Sequence, residues 1–196
     1  DTSFGRCRNV YIERVVAESS VSQKRGFHIQ SSNDSLNNVQ VGSIMADGCI
    51  DNVLIQLGSS GPEMRNVQIG EILSKNAISR DLLIDTTSST GIIYDVSVNS
   101  IITEGTLLNG FMALGNGQIR DVNIVHAFIN YAAGATDSQL ENSCFIGASV
   151  SRSNIGHLSI FRNFNPAFLG GILYSNASTG SNTLGARYAK VYGAGA

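Results

Sequence analysis

Five residues recur on one spacing and carry the strongest case for chemistry in this chain. Glu18, Asp47, Lys75, Glu104 and Asn130 follow one another at intervals of 29, 28, 29 and 26 residues. If that interval is a structural period, the five side chains form one column. Carboxyl groups about 5–5.5 Å apart can work as nucleophile and acid on a glycosidic bond, and a gap of about 6.5–9.5 Å leaves room for an attacking water. Close like charges would also raise one carboxyl pKa toward a general-acid role. Glu18, Asp47 and Glu104 are therefore candidate catalytic groups, with Lys75 and Asn130 as binding partners. The plainer reading is a solvated charge ladder in which Lys75 neutralises Asp47 and Glu104, each pair worth at most about 1 kcal/mol.

What must position such a column is a repeated phrase. Cys7-Arg8-Asn9-Val10-Tyr11-Ile12-Glu13-Arg14-Val15 returns as Leu36–Ile44, Met64–Ile72, Ile93–Ile101 and Ile119–Ala127, with a worn copy at Leu140–Ala148. The anchor Asn or Asp falls at 9, 38, 66, 95, 121 and 142. A fixed period of about 20–30 residues signals a solenoid. Positions one and three after the anchor are Val or Ile, with mostly polar residues between them, which is a strand with one face buried. A second apolar cluster sits six and seven residues after the anchor. A third strand comes about fifteen residues after it: Gly26–Ile29, Asn52–Ile55, Asp81–Ile84 and Gly110–Ala113. Each unit closes in a Gly-, Ser-, Asn- and Asp-rich corner. Short strands stacked one coil apart, at about 4.8 Å, describe an all-β parallel β-helix of roughly six coils. The anchor column then reads as corners in left-handed backbone geometry, with side-chain amides bonding from coil to coil and loosening at Asp95 and Asp121.

The same ruler sorts the remaining candidates. Five residues after the anchor stand Arg14, Ser43, Glu71, Ser100 and His126. Glu71 and His126 are binding candidates, two coils apart, which argues against direct contact. Tyr11 is the one aromatic in the outward column two after the anchor, and so a candidate sugar platform. His28 faces away from Phe27 and Ile29, as a surface or groove residue would. No His, Cys or carboxylate cluster has metal spacing, no phosphate loop appears, and no cofactor is expected. Cys7, Cys49 and Cys144 are odd in number and unpaired by pattern, with Cys7 in an apolar column and Cys144 in an outward one.

The 196 residues suffice for one sizeable domain. Only 14% are charged and the net charge is -2, so no nucleic-acid partner is expected. No run of about 18 apolar residues exists, so no membrane span is expected. Residues 1–148 are read as the β-helix and 149–196 as an irregular cap or oligomerisation region, with Phe161, Phe164 and Phe168 as its apolar content. The repeat starts almost at once. The expectation is a fragment of a longer protein, or a first coil covered by a partner, because an open sheet edge invites association.

The [Asn/Asp]-Val-x-[Val/Ile]-x-x-[Ile/Val] coil, with low charge and small-residue corners, resembles the right-handed β-helix proteins of the pectate-lyase-like superfamily. Among these it is most similar to bacteriophage tailspike and tail-appendage proteins. The resemblance covers about Cys7 to Ala148 and carries no catalytic motif. It implies a homotrimer on a virion tail, or extracellular, that recognises a bacterial surface polysaccharide and in some members degrades it. Its pectate-lyase and polygalacturonase branches fit poorly: there is no Trp, no Asp-Asp pair, and only Gly156-His157-Leu158 as a partial echo of a Gly-His-Gly segment. A polysaccharide lyase or glycoside hydrolase of this fold and a purely structural β-helical spacer are the alternative functions.

Overall fold

In a computed structural model the described residues are 7–19, 24–59, 61–107, 109–132, 142–146, 150–161, 171–174 and 188–192. They form fourteen strands: β1 Cys7–Glu18, β2 Phe27–Ser31, β3 Leu36–Asp47, β4 Asp51–Leu57, β5 Glu63–Lys75, β6 Arg80–Thr86, β7 Ile92–Glu104, β8 Asn109–Gly115, β9 Gln118–Asn130, β10 Asn142–Ile146, β11 Val150–Ser151, β12 Asn154–Phe161, β13 Gly171–Tyr174 and β14 Tyr188–Tyr192. The long strands pair in the order β1-β3-β5-β7-β9-β12-β14, with β11 also on β9, and the short ones in the order β13-β10-β8-β6-β4-β2. Every pairing is parallel. The fold is an all-β parallel solenoid of about four turns rather than six. The expected third strands are β2, β4, β6 and β8, in register.

Each long strand is bent at its anchor. Asn9, Asn38, Asn66, Asp95 and Asp121 have φ of 59, 58, 53, 56 and 56°. An amide or carboxylate side chain makes this left-handed conformation affordable for a residue with a Cβ. Asn38 Nδ2 donates to Asn9 Oδ1 at 2.9 Å and Asn66 Nδ2 donates to Asn38 Oδ1 at 2.8 Å. The ladder gives way at the acidic anchors, where Asp121 is instead paired with Arg152.

Arg152 corrects the sequence reading of the sixth copy. Its φ is 51°, it lies in the anchor column, and the flanking β11 and β12 pair with β9. Asn142 belongs to β10 in the other sheet. The true sixth phrase is Val150–Leu158, hidden because Arg fills the corner and Ser153 replaces the inward Val. Ser153 is buried and its Oγ accepts the Val122 N–H at 3.3 Å. The parallel ladders thus continue beyond residue 148, through β11–β14.

The core is a column of Val and Ile between the sheets. Val39, Val41, Ile44, Val67, Ile69, Ile72, Val96, Val98 and Ile101 are all buried in one cluster with Val53, Ile55, Leu82 and Ile84 from the short strands. Each such side chain contributes roughly 1.5–3 kcal/mol. The second apolar cluster splits. Its first member points inward, while its second forms an outward row in which Val16 is 58%, Ile102 42% and Phe128 39% exposed. Strand alternation demands this, because neighbouring residues face opposite sides.

A second left-handed corner lies ten residues after the anchors, at Gly48, Asn76 and Gly105. It closes the bend toward the short strands, with Gly48 N–H bonded to Lys75 O and Asn76 N–H to Glu104 O.

Asn38 tests the anchor column. Asn38→Gly keeps the corner but loses two ladder bonds, and should cost about 1 kcal/mol in denaturant unfolding. Asn38→Ala adds the left-handed penalty and should cost about 2 kcal/mol. Equal losses for the two would contradict a backbone role for Asn.

Candidate functional site

The stacked register fixes which side chains meet. Glu18 pairs with Asp47, Asp47 with Lys75 and Lys75 with Glu104, so the sequence-derived column exists. Lys75 Nζ lies 3.1 Å from Glu104 Oε2, with both side chains more than half exposed. Asn76 Nδ2 donates to Asp47 Oδ1 at 2.9 Å. Two of the three candidate carboxylates therefore already have partners. Beside them the outward apolar row runs in register, Val16 to Met45 to Leu73 to Ile102 to Phe128. Row and column together line a shallow depression of about 290 Å³ at Val16, Glu18, Met45, Asp47, Leu73 and Lys75. Glu18 and Asp47, one rung apart at about 4.8 Å between backbones, are the only adjacent carboxylates of this column. The β7–β9 register ends at Ile102 and Phe128, and the next bridge joins Thr106 to Tyr131, so Asn130 is not paired with Glu104. Asn130 is half-buried, its backbone N–H donating to Thr103 Oγ1 at 3.0 Å and its carbonyl accepting from Thr106 N–H.

The neighbouring column holds Arg14, Ser43, Glu71, Ser100, His126 and His157 in succession. Ser100 separates Glu71 from His126, as the spacing predicts. The His126 and His157 rings lie 6.0 Å apart, tilted by 54°, on adjacent rungs of the ladder. Arg14 turns its guanidinium to Met45 Sδ, 2.9 Å away. His28 lies on the other sheet, aligned with Leu54. It is half-buried, and burial, then the Arg25 charge, lowers its pKa.

The larger concavity lies on the arm between the anchor and the next bend. A groove of about 480 Å³ is lined by Tyr11, Gln40, Gln68, Ser97 and Asn99, with Gly42 and Gly70 in its floor. The side chains two after the anchor stand in one outward column: Tyr11, Gln40, Gln68, Ser97, Asn123 and Asn154. Tyr11 is 71% exposed. Gln68 Nε2 donates to Asn66 Oδ1 at 2.9 Å, so the anchor ladder orients one groove amide. The glycines are required by stacking: a Cβ at Gly42 would meet Glu13 O at 2.4 Å, and one at Gly70 would meet Gly42 O at 2.3 Å. The result is a floor of bare backbone between amide side chains. Sequence reasoning singled out Tyr11 here but not its neighbours. Their signal was a column polar at every rung yet charged at none.

Of the buried carboxylates Asp51, Asp81 and Asp85, Asp81 is the most completely sealed. Asp81 is fully buried, taking a hydrogen bond from Thr106 Oγ1 at 2.6 Å and another from Ser74 Oγ. Ser74 Oγ in turn accepts from Asn52 Nδ2 at 2.6 Å, and the Thr103 and Thr106 hydroxyls are 2.8 Å apart. Burial raises the Asp81 pKa to about 7, although the Ser74 and Thr106 hydroxyls pull it back. The network ties three rungs together at the second corner.

No family model matches this chain, and neither the curated proteins nor the solved structures contain a match.

Two outcomes follow. Because the folded carboxyl of Asp81 holds its proton up to about pH 7 while the unfolded one releases it near pH 4, stability contributed here is present at low pH and lost as pH rises through that window. Unfolding measured at pH 5 and pH 8 should show a decline of up to a few kcal/mol in the wild type and a smaller decline in Asp81→Asn. Removing the exposed Lys75–Glu104 pair by Lys75→Met should change stability by less than about 1 kcal/mol.

Proposed function

We propose that this protein is a tailspike-like β-helix that recognises a bacterial surface polysaccharide, held in the groove headed by Tyr11. The observation that carries this reading is the groove itself: an exposed aromatic ring at the head of a regular column of amide and hydroxyl groups. An aromatic face covers the apolar side of a sugar ring, while amides offer a donor and an acceptor to its hydroxyls. The outward apolar row, in which Val16, Ile102 and Phe128 are exposed and Met45 and Leu73 half-buried, supports the accompanying proposal of a homotrimer, since other copies of the chain would bury it. A virion-tail or extracellular setting follows from the same reading.

The degrading variant rests on Glu18 and Asp47 in the depression beside that row. Glu104, held by Lys75, is the weakest of the three catalytic candidates. The spacer alternative draws on the same ion pair, which occupies Glu104 with a structural partner.

On a panel of bacterial capsule and O-antigen polysaccharides the protein should bind at least one member. Tyr11→Ala should weaken that binding at least tenfold, or about 1.4 kcal/mol, with the fold intact by thermal unfolding. Binding to none would favour the spacer. Depolymerisation that survives both Glu18→Gln and Asp47→Asn would remove those residues from any enzymatic account.

A further inference from the structure

We infer that the groove selects an uncharged glycan and lays it along the solenoid axis, about four sugar units reading four successive rungs. This deepens the proposed function and rests on it.

The selectivity follows from what lines the groove. Tyr11, Gln40, Gln68, Ser97 and Asn99 carry no charge, and Gly42 and Gly70 add only backbone. A uronate or sialate carboxylate placed there would lose water without gaining a cation, which is costly. The nearby charges do not change that balance. Glu13 occupies the same column as the glycines, at the groove's first rung, and would repel an anion. Arg14 is turned to Met45. Arg65 stands before the anchor, on the opposite side of it from the groove, with Glu63 3.5 Å from its Nε and Tyr94 Oη bonded to its Nη1. The polar groups present match neutral hydroxyls: each amide gives a donor pair and an acceptor. Gln68, tied to the Asn66–Asn38–Asn9 ladder, is already oriented and loses little freedom on binding.

The direction follows from the register. Tyr11, Gln40, Gln68 and Ser97 sit on β1, β3, β5 and β7, directly above one another. Their backbones are spaced by about 4.8 Å, close to the advance of one unit in an extended hexose chain. A glycan running along the axis meets an equivalent polar group at every unit. One running along a strand leaves the groove within about two units, at the anchor on one side and the bend on the other. Tyr11, at one end, is placed to stack on one sugar ring.

The experiment has two stages. An array of neutral polysaccharides (glucan, mannan, galactan) and anionic ones (polygalacturonate, hyaluronan, polysialic acid) is probed at low and moderate salt. Fragments of two to eight units of the best neutral polymer are then titrated by calorimetry, with wild type, Tyr11→Ala and Gln68→Ala. The expected result is neutral binding that is insensitive to salt. Affinity should climb with each unit up to about four and then level; Tyr11→Ala should lower it at least tenfold and Gln68→Ala several-fold. Preferential, salt-sensitive binding of an anionic polymer overturns the selectivity and leaves glycan recognition standing. Affinity that levels at two units overturns the axial direction. Neutral binding untouched by both substitutions overturns the groove. Binding to no polysaccharide overturns the functional reading along with this one.

Discussion

A parallel solenoid depends on every rung turning at the same place. Here that place is the anchor, where Asn9, Asn38, Asn66, Asp95, Asp121 and Arg152 hold the backbone in the left-handed region. Only because the corner repeats do the flanking strands stack residue on residue. Only because they stack do Val and Ile fill a continuous core on one side and form ruled columns on the other. The amide ladder from Asn9 to Asn66 reinforces the corner where Asn is present. At Asp121 a cation from the next rung, Arg152, takes over the role. Asp95 and Asp121 stack as two like charges, which repel, and Arg152 offsets that of Asp121.

The columns explain why two concavities with different chemistry share one wall of the fold. On the arm after the bend, one cation, Lys75, stands among three carboxylates and pairs with Glu104, beside a partly exposed apolar row. On the arm before it, the outward positions are amides, a hydroxyl and one tyrosine, with glycines where rungs approach closely. The first is suited to contact with another protein surface. The second is suited to a polar, uncharged ligand, because nothing in it needs a counter-charge. The buried carboxylates take two courses: Asp51 pairs with Arg80, whereas Asp81 sits among hydroxyls and keeps a proton.

Much of this was legible in the sequence for a physical reason. Coil lengths that stay constant keep columns aligned, so the Glu18–Asp47–Lys75–Glu104 alignment could be read from spacing alone. The short strands were legible from the apolar runs at Val53, Leu82 and Phe111. What escaped were features whose residue types are ambiguous. Arg152 is an unusual occupant of a left-handed corner, so the sixth rung was placed at Asn142. Gly48, Asn76 and Gly105 form a second corner but look like ordinary loop residues. The groove escaped because concavity depends on how two arms of one strand meet, which no residue pattern states. The partners that engage Asp47 and Glu104, Asn76 and Lys75, depend on side-chain reach and were only partly foreseeable.

The central claim is that the uncharged column is the binding surface. The most direct measurement is nuclear magnetic resonance of the side-chain amides during titration with a bound polysaccharide fragment. The account predicts that the Gln40 and Gln68 amide signals shift together while the backbone signals of Glu18 and Asp47 stay in place. Shifts confined to Glu18, Asp47 and Lys75, with Gln40 and Gln68 unmoved, would contradict it.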